Sequence, residues 1–108
     1  MPAYVILTSK PGQFRTEAGD GLRPVEAWDF LVGERKRAGF VIAEISGSPR
    51  VTIVDETPPH VVNRIPAKLL ERFASVDRAR QEIEGLARAG SGYSLRRVGG
   101  GESAPGMH

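Results

Sequence analysis

The stretch Pro24-Val25-Glu26-Ala27-Trp28-Asp29-Phe30-Leu31-Val32-Gly33-Glu34-Arg35-Lys36-Arg37-Ala38-Gly39 decides how the chain is read. Val25, Trp28, Leu31 and Val32 recur at near-helical spacing, and Ala27 and Phe30 widen the apolar stripe. Pro24 fits the first position of a helix, where its missing N–H costs nothing. Glu26 and Asp29 come early and Arg35, Lys36 and Arg37 late, which complements a helix dipole, and Gly39 stands where a left-handed C-terminal cap is wanted. These residues predict a helix over 24–39, with Gly33 inside it costing about 1 kcal/mol relative to alanine.

N-terminal to this segment, Tyr4 to Ser9 is rich in strand formers, and Lys10-Pro11-Gly12-Gln13 has the proline and glycine of a type II turn. A return strand over Phe14 to Glu17 follows, and Ala18-Gly19-Asp20-Gly21 then breaks the pattern. C-terminal to it, Phe40 to Ser46 and Arg50 to Glu56 read as a hairpin around Gly47-Ser48-Pro49. With Ser46 opposite Arg50, Ile45 meets Val51 and Ala43 meets Ile53 on one face, while Glu44–Thr52 and Ile42–Val54 share the other.

Thr57-Pro58-Pro59-His60 interrupts regular structure, Val61-Val62 adds a short extended piece, and Pro66 opens a helical turn through Phe73. A second helix is better marked. Ser75 is its N-cap, Val76, Ala79, Ile83, Leu86 and Ala87 form one stripe, Arg78–Glu82 and Glu84–Arg88 are four apart, and Gly90 terminates it. Tyr93 to Val98 supplies a last strand. Residues 99–108, with four glycines and a proline, have little to bury and are expected to be disordered, which leaves one domain over 1–98.

Setting the Phe14–Glu17 strand aside as an extra N-terminal hairpin strand, the order is β, α, β, β, α, β. The expected fold is therefore α+β: a two-layer antiparallel sheet with two main helices on one face, in a ferredoxin-like (βαββαβ) topology. The term names a topology and implies no iron–sulfur cluster.

Composition fits this reading. With 108 residues, 40% hydrophobic and 26% charged, the chain has the makeup of one globular domain. No apolar run is long enough to span a bilayer and the first residues lack a signal peptide's features, so the expected location is the cytoplasm, with no membrane partner. The absence of cysteine excludes disulfides, thiolate metal sites and cysteine nucleophiles within this chain. A net charge of +2 supplies little counterion release for nucleic-acid binding, despite a calculated pI near 9.4.

Asp55-Glu56-Thr57-Pro58-Pro59-His60-Val61-Val62-Asn63-Arg64 is the densest irregular polar segment, combining carboxylates, an imidazole and a guanidinium. Residues 55 and 56 of one strand point to opposite faces, which argues against a metal shared with His60; no metal and no cofactor are assigned. Gly19-Asp20-Gly21 lacks the lysine of a phosphate loop. Arg35-Lys36-Arg37 is explained by the helix end, and the strands lack the aromatic display of an RNA-binding sheet, so no nucleic-acid partner is assigned. Trp28 and Phe30, two apart, cannot both sit at the centre of one helical stripe.

Two helices cover only one side of so small a sheet. Phe40, Ile42 and Val54 on the other side are then interface candidates, and the reading is a non-catalytic accessory or protein-interaction domain that self-associates as a homodimer or meets a larger protein. The alternative is a small-molecule-binding protein or cofactor-independent enzyme near the 55–64 loop. Arg15, Arg23, His60 and Arg64 would be its ligand-binding residues, provided they converge on one cavity.

Overall fold

In a computed structural model, which describes residues 2–88 and 93–100, residues 24–39 form most of a β-hairpin instead of a helix. Strand β3 spans Leu22–Val32 and strand β4 spans Arg35–Ile45, with Val32 opposite Arg35. Gly33 and Glu34 are the two turn residues, and Gly33 has φ +63°. A positive φ at the first central position of a two-residue loop gives the strands the twist they need, and glycine adopts it freely. Gly39 is no helix cap. It lies within β4, opposite Asp29.

Irregularities in β3 and β4 account for the helical look of the sequence. The β3–β4 register shifts between Pro24 and Glu26 and again between Phe30 and Leu31, so Val25 on one strand and Arg37 on the other are extra residues. Each bulge interrupts the period of two and re-aims the side chains that follow. Pro24, which has no N–H to give, sits beside the first bulge, where a strand tolerates it.

The remaining strands are β1 (Tyr4–Ser9), β2 (Phe14–Glu17), β5 (Arg50–Asp55), β6 (Val62–Pro66) and β7 (Tyr93–Gly100). A four-stranded antiparallel sheet has the order β1-β4-β3-β7, and a three-stranded one the order β2-β5-β6. The α+β ferredoxin-like expectation is therefore overturned. Among the described residues the fold is mostly β, with one α-helix, α1 (Val76–Arg88), and a single 3₁₀ turn at Ala67–Leu69.

The expected hairpin of residues 40–56 is also corrected. Both edges of β4 are occupied, by β1 and β3, so β5 cannot pair with it and instead joins the other sheet. Gly47-Ser48-Pro49 is a crossing between sheets, held where Ser46 N–H donates to Gly21 O at 2.8 Å and Ala67 N–H to Pro49 O at 2.9 Å. Gly21 is required there: its φ is +85°, and an added Cβ would lie 2.8 Å from Ser46 O and 3.0 Å from Pro49 Cβ.

The four-stranded sheet is covered on both faces. On one side Val5, Leu7, Leu22 and Ala43 meet Val51 and Ala67, with Ile53 and Ile65 packed against them, which places the three-stranded sheet over that face. On the other, Ala38, Phe40 and Ile42 meet Ala79 and Ile83 of α1, flanked by Tyr4, Ile6, Trp28 and Phe30. Alternation along β1 and β4 explains the split, since successive side chains serve opposite layers. Phe40 and Ile42 are thus beneath the helix, Ile42 at 0% exposure, and Val54 lies buried in the other sheet. The face of Phe40 and Ile42, expected to be uncovered in the βαββαβ reading, is closed by α1.

Helix α1 matches its expected start. Ser75 Oγ accepts from Arg78 N–H at 3.1 Å, and Ala79, Ile83 and Ala87 are buried, whereas Leu86 falls outside the buried stripe. Gly90, its expected terminator, lies outside the described residues. Gly99 and Gly100 belong to β7; the rest of the expected tail, 101–108, lies outside the described residues.

Candidate functional site

The first bulge of β3 brings Glu26 opposite Ile42, on the face that α1 covers. A carboxylate there needs partners, because an unpaired buried charge is costly. Arg80, one turn into α1, donates from Nε to Glu26 Oε2 at 2.9 Å and from Nη2 to Oε1 at 2.8 Å. Trp28 Nε1–H donates to Oε2 at 2.9 Å, and Arg97 Nη2 of β7 lies 3.3 Å from Oε1. The hydrogen bond from Arg80 outweighs burial and holds the Glu26 carboxyl below its ordinary range; the same carboxylate raises the Arg80 guanidinium.

Asp29, also buried, sits on the opposite face of β3. Lys36 Nζ lies 3.1 Å from its Oδ1 and Arg96 Nη2 2.9 Å from its Oδ2. The Lys36 chain reaches it by passing over Gly39, where an added Cβ would lie 3.5 Å from Lys36 Cε. Both acids thus tie β7 to β3, and Glu26 ties α1 to the sheet as well.

The second bulge assembles a different feature. Phe30 faces Ala38, and beyond the extra residue Arg37 the next pairs are Leu31–Lys36 and Val32–Arg35. Lys36 is thereby turned to the Asp29 face, while Arg35 shares the face of Ala38 and Phe30. Together with the β1–β2 turn they line an open cleft of about 500 Å³, whose charged residues are Lys10, Arg35, Lys36 and Arg37 and whose apolar ones include Pro11, Phe30 and Ala38. Among the described residues no carboxylate lies within ion-pair distance of Lys10, Arg35 or Arg37.

The residues singled out as ligand candidates do not converge. Arg15 and Arg64 lie on the outer face of the three-stranded sheet, at the positions of Val54 and Thr52, and Arg15 is paired with Glu17 at 2.7 Å. Arg23 is an exposed partner of Glu44 in the other sheet. His60 is exposed, with φ +59°, and its Nδ1 lies 3.2 Å from Asp55 O of its own loop. That loop is fastened to the β1–β2 turn, where Glu56 N–H donates to Gln13 O at 2.9 Å and Gly12 N–H to Glu56 Oε1 at 2.8 Å. The Asp55–Arg64 segment is, in its visible bonding, a braced connection.

Sequence reasoning missed Lys10, Glu26, Asp29, Arg80 and Arg97. The available signal was the alternation Glu26-Trp28-Phe30, which reads as one face of a strand once Gly33-Glu34 is taken as a turn. Compared with family models, with curated proteins and with solved structures, the chain matches none.

Proposed function

We propose that this chain is a non-catalytic protein-interaction domain. The observation that carries the reading is the direction in which Glu26 is tuned. A carboxyl acting as general acid or base near neutral pH needs a raised pKa and a free lone pair aimed at substrate. Glu26 has a lowered one, and both its oxygens are taken by Arg80, Trp28 and Arg97. Its chemistry is that of a clamp between helix and sheet.

The surface is of the kind used for recognition. The clefts bordered by α1, the β1–β2 turn and the two sheets are open grooves, and Leu69 and Leu86 are 68% and 51% exposed. Because Phe40, Ile42 and Val54 are used inside the fold, the partner in this reading is a different protein. In-cell photo-crosslinking with a reactive residue at Gln13, Thr52 or Leu69, three separate surfaces, tests it. The expected result is a discrete adduct with one polypeptide, identified by mass spectrometry. Absence of any adduct, together with a substrate turnover abolished in a folded Glu26→Gln variant, would overturn the proposal.

A further inference from the structure

We infer that the cleft between the β1–β2 turn and the β3–β4 turn is a docking site for an acidic segment of a protein partner, one that also carries an apolar side chain. The inference rests on the interaction-domain reading above and gives it a place and a chemistry. Lys10, Arg35, Lys36 and Arg37 meet in one cleft of about 500 Å³, with Arg96 close by on Asp29. Against these five cations stand Asp29, the turn residue Glu34 and Glu56, whose carboxylate accepts from Gly12 N–H in the β1–β2 turn, so the positive surplus at this end equals the +2 of the whole chain. Four cations lining one cleft, with a fifth beside them, make a local positive field, and such a field both steers and selects anionic partners.

The placement of these cations is also built in. Without the extra residue at Arg37, strict alternation would put Arg35 on the face away from Phe30 and Ala38. With it, Arg35 takes the face of Phe30, and Lys36, which also lines the cleft, turns its amine to Asp29. The remaining lining residues are Gln13 and three apolar ones: Phe30, held against Tyr93 with ring centroids 6.2 Å apart, Ala38 and Pro11. A small charged cleft that also presents Phe30 and Pro11 suits a short segment with carboxylates flanking a hydrophobic residue.

A nucleic-acid strand fits less well, because its backbone needs a continuous basic track. Elsewhere most cations are paired with acids or share a cleft with them, and Arg50 and Arg64, which have no ion pair among the described residues, lie on the three-stranded sheet and do not line this cleft. Arg80 and Arg97 are spent on Glu26, Arg15 on Glu17, Arg23 on Glu44 and Arg88 on Glu84. Arg72 and Arg78 share their cleft with Glu71 and Glu82.

Fluorescence anisotropy tests the site with a labelled peptide of interspersed glutamate and phenylalanine, a control with every glutamate replaced by glutamine, and a short oligothymidylate. The acidic peptide should bind, weaken as salt rises, and lose roughly tenfold in affinity in the Arg35→Gln/Arg37→Gln variant, whose melting should match wild type because neither arginine is in an ion pair among the described residues. Equal binding of the glutamine control, or an unchanged affinity in the variant, overturns the site. Tighter binding of the oligonucleotide overturns the occupant. An in-cell adduct from Leu69 or Thr52 with none from Gln13 also overturns the site, while the broader interaction reading stands.

Discussion

Arg80 grips Glu26 with two parallel hydrogen bonds across 54 positions of sequence, joining the only α-helix among the described residues to the inner strand β3. Fork-on-carboxylate geometry is among the stronger polar contacts, and here one partner is almost wholly buried. Arg80→Met removes the donor and leaves the carboxylate with Trp28 and Arg97. Because the Arg80 side chain is one-third exposed, the loss should be about 1.5–3 kcal/mol, less than for a fully buried pair. Urea unfolding measures it, and a loss within experimental error would show that Glu26 is held by its other partners.

The same pair sets a pH dependence. Glu26 is held below its ordinary 4.5, so between the folded and unfolded values the unfolded chain binds more protons and stability rises with pH. The contribution is fully present above the ordinary value and is lost as pH falls through the lower folded one. Melting temperature in acid should therefore fall more steeply for wild type than for Glu26→Gln, which has no proton to gain. Parallel acid profiles for the two would remove Glu26 from the account.

Two glycines separate backbone strain from crowding. Gly33 and Gly21 both have positive φ, but a Cβ at Gly33 meets nothing within 4 Å while one at Gly21 strikes Ser46 O at 2.8 Å. Gly33→Ala should cost the left-handed penalty alone, about 1–2 kcal/mol, and Gly33→Asn less. Gly21→Ala should cost clearly more, since the struck atom is backbone that already accepts no freedom at the crossing between sheets. Equal losses in thermal unfolding would contradict the assignment.

Helix α1 was legible because its evidence is local: Ser75 caps it, and Ala79, Ile83 and Ala87 repeat at helical spacing. Strands β1, β2, β5 and β7 were legible for the same reason. The β3–β4 hairpin was not, because bulges at Val25 and Arg37 spoil the period of two and leave Val25, Trp28, Leu31 and Val32 at a spacing that mimics a helix. Strand pairing was hidden for another reason. Nothing within residues 40–56 reports that β1 and β3 occupy both edges of β4, so a neighbour in sequence looked like a neighbour in space. The site failed with the fold: Arg35, Lys36 and Arg37 looked like the end of a helix, and Lys10 belongs to a turn distant in sequence.

Two residues of α1 test which of its faces is packed. Ile83 is fully buried against the four-stranded sheet, whereas Leu86, one turn on and in the same apparent stripe, is half exposed. Ile83→Ala should cost about 2–5 kcal/mol and Leu86→Ala within about 0.5 kcal/mol. Similar losses in denaturant unfolding would mean that α1 is rotated on the sheet.

Ile42 gives the sharpest contrast between the two architectures. On an open sheet face, Ile42→Lys would produce a folded chain, since the new charge would be solvated. In the observed fold Ile42 pairs with Ile6 on one side and Glu26 on the other, and α1 closes over it through Ala79 and Ile83. The lysine chain would have to displace the helix or strand its ammonium in the core. Glu26, directly opposite in the ladder, already binds Arg80, Trp28 and Arg97, so a rescue through it would break the clamp that seats α1. An uncompensated buried charge costs several kcal/mol, comparable to the whole stability of a domain this size. Circular dichroism and thermal melting of Ile42→Lys should therefore show a chain that is unfolded or melts far below wild type, while Ile42→Val retains the fold at a cost of about 0.5–1.5 kcal/mol. A well-folded Ile42→Lys with a near-native melting temperature would mean that α1 does not cover this face.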